Sequence, residues 1–428
     1  MITESFLHFV WKHKIFHKYP LQTTDGRSIQ IIHSGFSHQD AGPDFKQAII
    51  KIENITWAGD IEIHINSSDW YKHGHHLDKK YSIVILHVVY IQDVNVRRSD
   101  HEFFPALELK NLIPDEVIEK YRDLLTSSFS LPCKEQLQTI TTLQFSSILS
   151  RLMLERLTRR QKQIFQIFEQ SQKNWNELIF KLLIINFGFK TNSAAFELLS
   201  RILPYKILCK HTHSKFQVYA LVFGQAGMLE EWRDDKYYLS LQTEYKYLQQ
   251  KYKLIPMPER IWNLLRLRPQ NFPCIRLAQL SETLCHHFDF LTNIENFTTI
   301  EQFEKMFSYQ SHDYWKTHYY FGKVSKEHTT NMGYNTFELI MINTIIPALY
   351  SYGAFMGNEQ FQERAILLLE TLCFEKNNLT KSYRQCGFPS ESALHSQAIL
   401  ELNKRYCTKK NCLECLFWGQ IVANNSKN

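Results

Sequence analysis

Residues 56–66 read TWAGDIEIHIN and residues 81–90 read YSIVILHVVY. In the first stretch polar and apolar side chains alternate. Ile61, Ile63 and Ile65 fall on one side of an extended chain, and Asp60, Glu62, His64 and Asn66 on the other. The second stretch is apolar on both parities, as a central strand covered on both faces must be. Four polar side chains on one face of a strand in an apolar sheet cost free energy unless they are solvated or bound. Working outward, Glu53–Asn54 is a hairpin connection back to a strand over residues 44–52. Thr24–Asp25–Gly26–Arg27 is a turn signal ahead of a strand over residues 28–34. Leu7, Val10, Trp11 and Phe16 share one stripe of a helix over residues 2–16. Ser67 or Ser68 is placed to cap a short helix through Asp69, Trp70 and Tyr71, and residues 105–109 add an edge strand.

From Pro114 onward helical periodicity takes over, over residues 142–169, 175–186, 193–203, 236–252, 337–349, 360–372 and 392–405. The change of character lies between Leu124 and Ile140, around Ser127–Ser128–Phe129–Ser130–Leu131–Pro132. The reading is an α+β chain: an N-terminal α/β module with a small mixed sheet over residues 1–130, then a large all-α region over residues 131–428.

Composition narrows the class. With 44% hydrophobic and 21% charged residues among 428, the chain can bury cores and is not disordered by composition. The 14 Gly and 12 Pro favour long helices over a turn-rich all-β chain. A net charge of +6 is compatible with a polyanionic partner without selecting one. The N-terminus has no basic leader, and no apolar run approaches the ~20 residues needed to span a bilayer. Nine cysteines, irregularly spread, suit a reducing cytoplasm rather than a disulfide framework. The expectation is a cytoplasmic protein with no membrane association.

Three groups could carry chemistry. The first is Asp44 with Glu62: if their strands pair, two carboxylates meet at one end of the sheet, an oxygen-rich setting that suits Mg²⁺ or Mn²⁺. Just behind Glu62 come Asp69, Trp70, His73, His75, His76, Asp78 and Tyr81. With His64 and His87 this makes five histidines within 24 positions, ligands that Zn²⁺ or Mn²⁺ accepts. For His87, inside the apolar strand, a hydrogen-bonded core role is the commoner fate. The second group is Cys407-x4-Cys412-x2-Cys415, three local thiolate ligands for zinc or an iron–sulfur cluster. Cys133, Cys386 and Cys373 are the candidates for a fourth, in that order; the plain alternative is a set of reduced, half-buried thiols. The third is a basic stripe of Arg151, Arg156, Arg159, Arg160 and Lys162 on one predicted helix, which either tracks nucleic-acid phosphates, chiefly through Arg156, Arg159 and Arg160, or is a solvated face. Arg266, Arg268 and Arg276 would extend it. There is no Gly-rich phosphate loop, nucleophile elbow or dinucleotide fingerprint.

The N-terminal layout resembles the PD-(D/E)xK nuclease superfamily over roughly residues 2–91: Pro43–Asp44, seventeen residues, then Glu62–Ile63–His64. The resemblance implies that Asp44, Glu62 and the Ile63 carbonyl hold the metal, and that Glu4 occupies the place of an occasional helical acid. His64 departs from it, standing where the pattern has lysine. The whole chain also resembles an uncharacterised bacterial family, domain of unknown function 2851. The carrying residues are Gly42–Pro43–Asp44–Phe45, Trp57 to His64, Ser68–Asp69–Trp70 with His73–Gly74–His75, Ile85 to Val89, Arg268 to Pro273, Asn343 to Pro347 and the final cysteines. The resulting expectation is a Mg- or Mn-dependent phosphodiesterase, a nuclease, with Asp44 and Glu62 on the ion, His64 positioning water, and His73, His75 or Asp78 assisting. Alternatives are a non-catalytic nucleic-acid or protein-binding scaffold and a histidine-centred metalloenzyme of other chemistry.

Overall fold

A computed structural model describes residues 2–17, 21–38, 41–97, 103–127, 131–265, 267–286 and 289–425. Residues 128–130, in the expected boundary, and Arg266 lie outside the described residues. The chain forms two compact units, one of Met1–Ser150, Asn377–Pro389 and Ile399–Asn428, the other of Arg151–Lys376 and Ser390–Ala398. Residues 131–150, 377–389 and 399–428, which periodicity groups with the other helices, therefore belong with the sheet.

The first unit starts with helix α1 (Glu4–His13), N-capped by Thr3 and stopped at Lys14, whose φ of 53° is left-handed. Strands β1 (Ile29–His33), β2 (Phe36–Ser37), β3 (Phe45–Ile52) and β4 (Ile55–Asn66) follow. Helix α2 (Asp69–Lys72) and two 3-10 turns lead to β5 (Val84–Ile91) and β6 (Ala106–Glu108). Helix α3 (Asp115–Thr126) comes next, and the long helix α4 (Thr142–Gln170) runs from this unit into the second. Sheet order is β1-β3-β4-β5-β6, with β2 also paired to β3. The β1–β3–β4 meander is antiparallel, while β4–β5 and β5–β6 are parallel. Antiparallel neighbours can be joined by a two-residue hairpin, here Glu53–Asn54, but parallel neighbours require a crossover above one face. Residues 67–83 are that crossover, and they carry His73 and His75. The strand expected to begin at Tyr81 starts at Val84, because Lys79–Tyr81 closes a 3-10 turn.

The core of this unit is built around α1. Phe6 stacks on Tyr121 (centroids 4.5 Å apart), Phe9 on Trp418, and the Trp11 indole N–H donates to the Ser34 carbonyl at 2.9 Å. Where β4 crosses β5 the chains run so close that a methyl at Gly59 would sit 2.5 Å from the Ile83 carbonyl oxygen.

The second unit is helical but not all-α: His318–Tyr320 and Lys323–Val324 pair as a short antiparallel hairpin. Helices Lys215–Gln225 and Pro273–His286, unforeseen from periodicity, are buried nearly all round and so lack an amphipathic stripe. The helical run Tyr334–Met356 corrects the expectation about apolar length: its 23 residues are long and apolar enough to cross a membrane. Two thirds of its most apolar window is buried inside the protein (67%), as for a central core helix.

Candidate metal centre

The parity argument places Glu62 and His64 on one face of β4, and the crossover passes over that face. Both side chains are nearly sealed, Glu62 4% and His64 1% exposed. The crossover opens with α2, whose Ser68 does not cap it; instead Asp69 accepts the Asn66 amide, and the Ser67 and Ser68 hydroxyls donate to Asp93. Gly74 then takes φ +74°, which costs glycine little and turns the chain between two histidines. That turn brings His73 Nδ1 to 3.2 Å from His64 Nε2, and His75 Nε2 to 3.2 Å from Glu62 Oε1. His64 Nε2 is 3.6 Å from the same Glu62 oxygen.

One nitrogen from each of His64, His73 and His75 lies within 4.8 Å of the other two. For metal–nitrogen bonds of 2.0–2.1 Å, a tetrahedron has ligand atoms about 3.3 Å apart, close to the 3.2 Å and 3.6 Å separations found here. His75 Nε2 is buried and, despite its nearness to Glu62, makes no hydrogen bond of acceptable geometry. Its lone pair or proton is directed elsewhere than at the carboxylate.

The protonation states agree with ligand chemistry. Burial, then His87, His75 and His73, push the His64 pKa down to about 2, and burial with His75 pushes His87 to about 3. Both imidazoles are therefore neutral, the form in which histidine binds metals. His64 Nδ1 lies 2.8 Å from His87 Nε2, so one ring hydrogen-bonds the other. His87, a core residue as expected, thereby orients His64 from behind. Burial raises the Glu62 pKa against the lowering effect of His75.

Asp44, just before β3, lies beside Glu62: its amide donates to Glu62 Oε2 at 3.2 Å and its Oδ2 accepts the Ile63 amide at 2.9 Å. The same Oδ2 is 3.3 Å from His8 Nε2 of α1. Burial would lower the His8 pKa, but hydrogen bonding and charge from Asp44 raise it overall, with Glu4 adding to that field one helical turn away. His8 is the participant that sequence reasoning missed; its position four residues after Glu4, on the same helix face, is the signal that was there to read. Asp60, from the same polar row, is diverted. Its Oδ1 accepts the Gln47 amide where β3 bulges.

Asp78 does not join the constellation: its carboxylate caps the turn by accepting the Lys80 amide. It does line a cavity of about 310 Å³ that opens beside His75, among Trp70, Tyr81, Phe104, Lys79 and Arg97. Tyr81 stacks on His75 with centroids 3.8 Å apart.

The other predicted groups separate clearly. Cys412 and Cys415 flank a 3-10 turn, and Cys133 heads the turn Lys134–Thr139, which packs on helix Leu416–Asn425. Burial raises the Cys133, Cys412 and Cys415 pKa values, the last two to about 11 and 12, and Cys133 feels the charge of Cys415, Cys407 and Cys412 together. Cys133 thus lies within the electrostatic reach of these thiols, whereas Cys373 lies in the second unit beside Glu338. Among the described residues these thiols do not reach the mutual 4.8 Å spacing of the histidine triad. The basic stripe is not a free face: Arg160 donates to the Asn343 carbonyl at 3.1 Å and to Gln163, and Arg151 pairs with Glu155. Arg156 and Arg159 are half-buried and also engaged.

No curated protein and no solved structure matches the chain. A family model does match it across residues 4–378, which takes in the whole constellation of Asp44, Glu62 and the histidines. The chain therefore belongs to the family described as protein of unknown function, DUF2851.

Proposed function

We propose that this protein is a metal-dependent hydrolase, with one transition-metal ion held by His64, His73, His75 and Glu62, acting on phosphodiesters. The observation that carries the reading is the convergence of one ring nitrogen from each of His64, His73 and His75 within 4.8 Å, with the buried Glu62 Oε1 3.6 Å from His64 and 3.2 Å from His75. A nitrogen-rich set suits Zn²⁺ or Mn²⁺ better than Mg²⁺, which takes oxygen ligands. A bound ion of this kind acidifies water and offsets negative charge on a phosphoryl oxygen. The chain's own groups supply the rest. His87 holds the orientation of His64, Asp44 fixes the β4 backbone at Ile63, and the His8–Asp44 pair keeps a proton beside Glu62. The adjoining cavity, with Lys79 and Arg97 near the rings of Trp70, Tyr81 and Phe104, matches an anionic substrate carrying a flat group. The resemblance to PD-(D/E)xK nucleases belongs to this reading, with the order helix, antiparallel meander, crossover and parallel strand in its support.

The test is hydrolysis of bis(p-nitrophenyl) phosphate and of single- and double-stranded DNA and RNA by chelator-stripped protein reloaded with Zn²⁺, Mn²⁺ or Mg²⁺. Turnover is expected with a transition ion and is lost in Glu62→Gln and His75→Ala. Activity surviving Asp44→Ala combined with Glu62→Ala would rule out the assignment, and binding of nucleic acid without turnover would favour a scaffold.

The cysteines carry a separate structural proposal: Cys133, Cys407, Cys412 and Cys415 bind zinc or an iron–sulfur cluster. Burial holds the Cys415 thiol up at about 12 and the backbone N–H groups of Phe417 and Trp418 only partly offset this, so its thiolate would need the charge of a bound cation. Elemental analysis should find metal that Cys133→Ser loses, with visible absorption if iron–sulfur. Four freely titratable thiols in metal-free native protein would dispose of it.

A further inference from the structure

A buried cation with no counter-charge among the described residues sits in the second unit. Arg276, on the first turn of helix Pro273–His286, is 8% exposed. Its guanidinium donates to Gln279 at 2.9 Å, to Asn271 at 2.6 Å and to Thr336 at 3.3 Å, all neutral acceptors, and it lies over the Phe189 ring at 4.7 Å. Its Nε has no partner among the described residues. Burial pulls its pKa down to about 10, with no carboxylate among the described residues contributing. A buried ion is costly unless opposite charge and full hydrogen bonding offset the lost hydration.

Two cavities, of about 260 Å³ and about 330 Å³, flank this side chain and share a wall of Asn271, Arg276, Asn335 and Thr336. Among the described residues lining either, none is acidic, while Lys190 stands at the first and Arg268 and His328 at the second. Phe187, Phe189 and Phe196 give the first an apolar side. The positive end of the helix beginning at Pro273 adds to the same field.

We infer that Arg276 and its shared wall form a binding site for a small organic oxyanion, a phosphate or carboxylate, whose head group neutralises the guanidinium while its apolar part rests on Phe187, Phe189 and Phe196. Arginine fits this task because its planar fork matches both oxyanions. The cavity sizes limit the ligand to a small molecule. This site is separate from the metal centre, and its test involves no hydrolysis.

The experiment follows thermal unfolding of the full chain titrated with phenyl phosphate, benzoate and inorganic phosphate. Saturable stabilisation by phenyl phosphate or benzoate is expected, and the arm that responds identifies the head group. Arg276→Met should abolish it while leaving the ligand-free protein as stable as before or more so, since replacing an unneutralised buried ion by an apolar chain of similar volume is often neutral or stabilising. If that variant fails to fold, Arg276→Lys and Thr336→Val serve instead, each binding at least about tenfold more weakly. No response to either aromatic probe, or an undiminished response in all these variants, overturns the inference.

Discussion

Removing the His73 imidazole should uncouple metal binding from folding. His73 is exposed, unlike His64 and Glu62, but its Nδ1 is the 3.2 Å hydrogen-bond partner of the buried His64 Nε2, so His73→Ala should cost the metal-free protein about 0.5–1.5 kcal/mol. Its Nδ1 is nevertheless one of three ring nitrogens within 4.8 Å of one another. At a metal concentration one hundred times the dissociation constant, a single site stabilises the folded protein by about 2.7 kcal/mol. For a unit of this size each kcal/mol moves Tm by about 2–4 °C, so the wild type should gain about 5–11 °C with Zn²⁺ or Mn²⁺. Loss of an outer-shell partner alone weakens affinity about 10–100-fold, and a direct ligand matters at least as much. A hundredfold loss at the same concentration leaves RT ln 2, about 0.4 kcal/mol, and a shift of about 1–2 °C. Scanning calorimetry of chelator-treated protein with and without added ion measures both. Equal shifts in wild type and His73→Ala, or none in the wild type with either ion, would refute the ligand assignment.

Two further outcomes probe how the site is held. Gly59→Ala should destabilise the first unit by about 1–3 kcal/mol in urea titrations, because its methyl would lie 2.4 Å from Ile85 Cγ2 and 2.5 Å from the Ile83 carbonyl oxygen; a neutral result would mean that the β4–β5 approach is looser than described. Asp93, which fastens the start of the crossover, has its pKa pulled to about 2: burial opposes this, but the hydroxyl and amide of Ser68 and the hydroxyl of Ser67 outweigh it. A depressed carboxylate contributes stability above its unfolded pKa, so this contribution should fade as pH falls from about 4 to about 2. Asp93→Asn should flatten acid unfolding in that window, and an unchanged profile would assign the acid sensitivity elsewhere.

Much of the site was legible because strand chemistry is local. A period of two puts Glu62 and His64 on one face whatever the fold, and a doubly apolar run at residues 84–89 requires a strand covered on both sides. His8 was harder to read, since a histidine on an amphipathic helix has no address until the helix docks. The basic stripe stayed open between two readings for a related reason: charge along a helix says nothing of what stands opposite, and Arg160 faces the Asn343 carbonyl.

The sequence by itself determined the first helix and the main strands of the N-terminal part, the polar row on β4 and the cluster of histidines behind it, because each depends on dihedral preferences and side-chain spacing within a few residues. Only the tertiary structure decided that the crossover folds back over the row, that Gly74 aims two histidines at a third, and that Cys133 joins thiols nearly three hundred positions away. Those outcomes follow from parallel pairing of β4 with β5 and from helix docking. They are long-range packing events, whose free energy comes from burying faces against partners that no local pattern names.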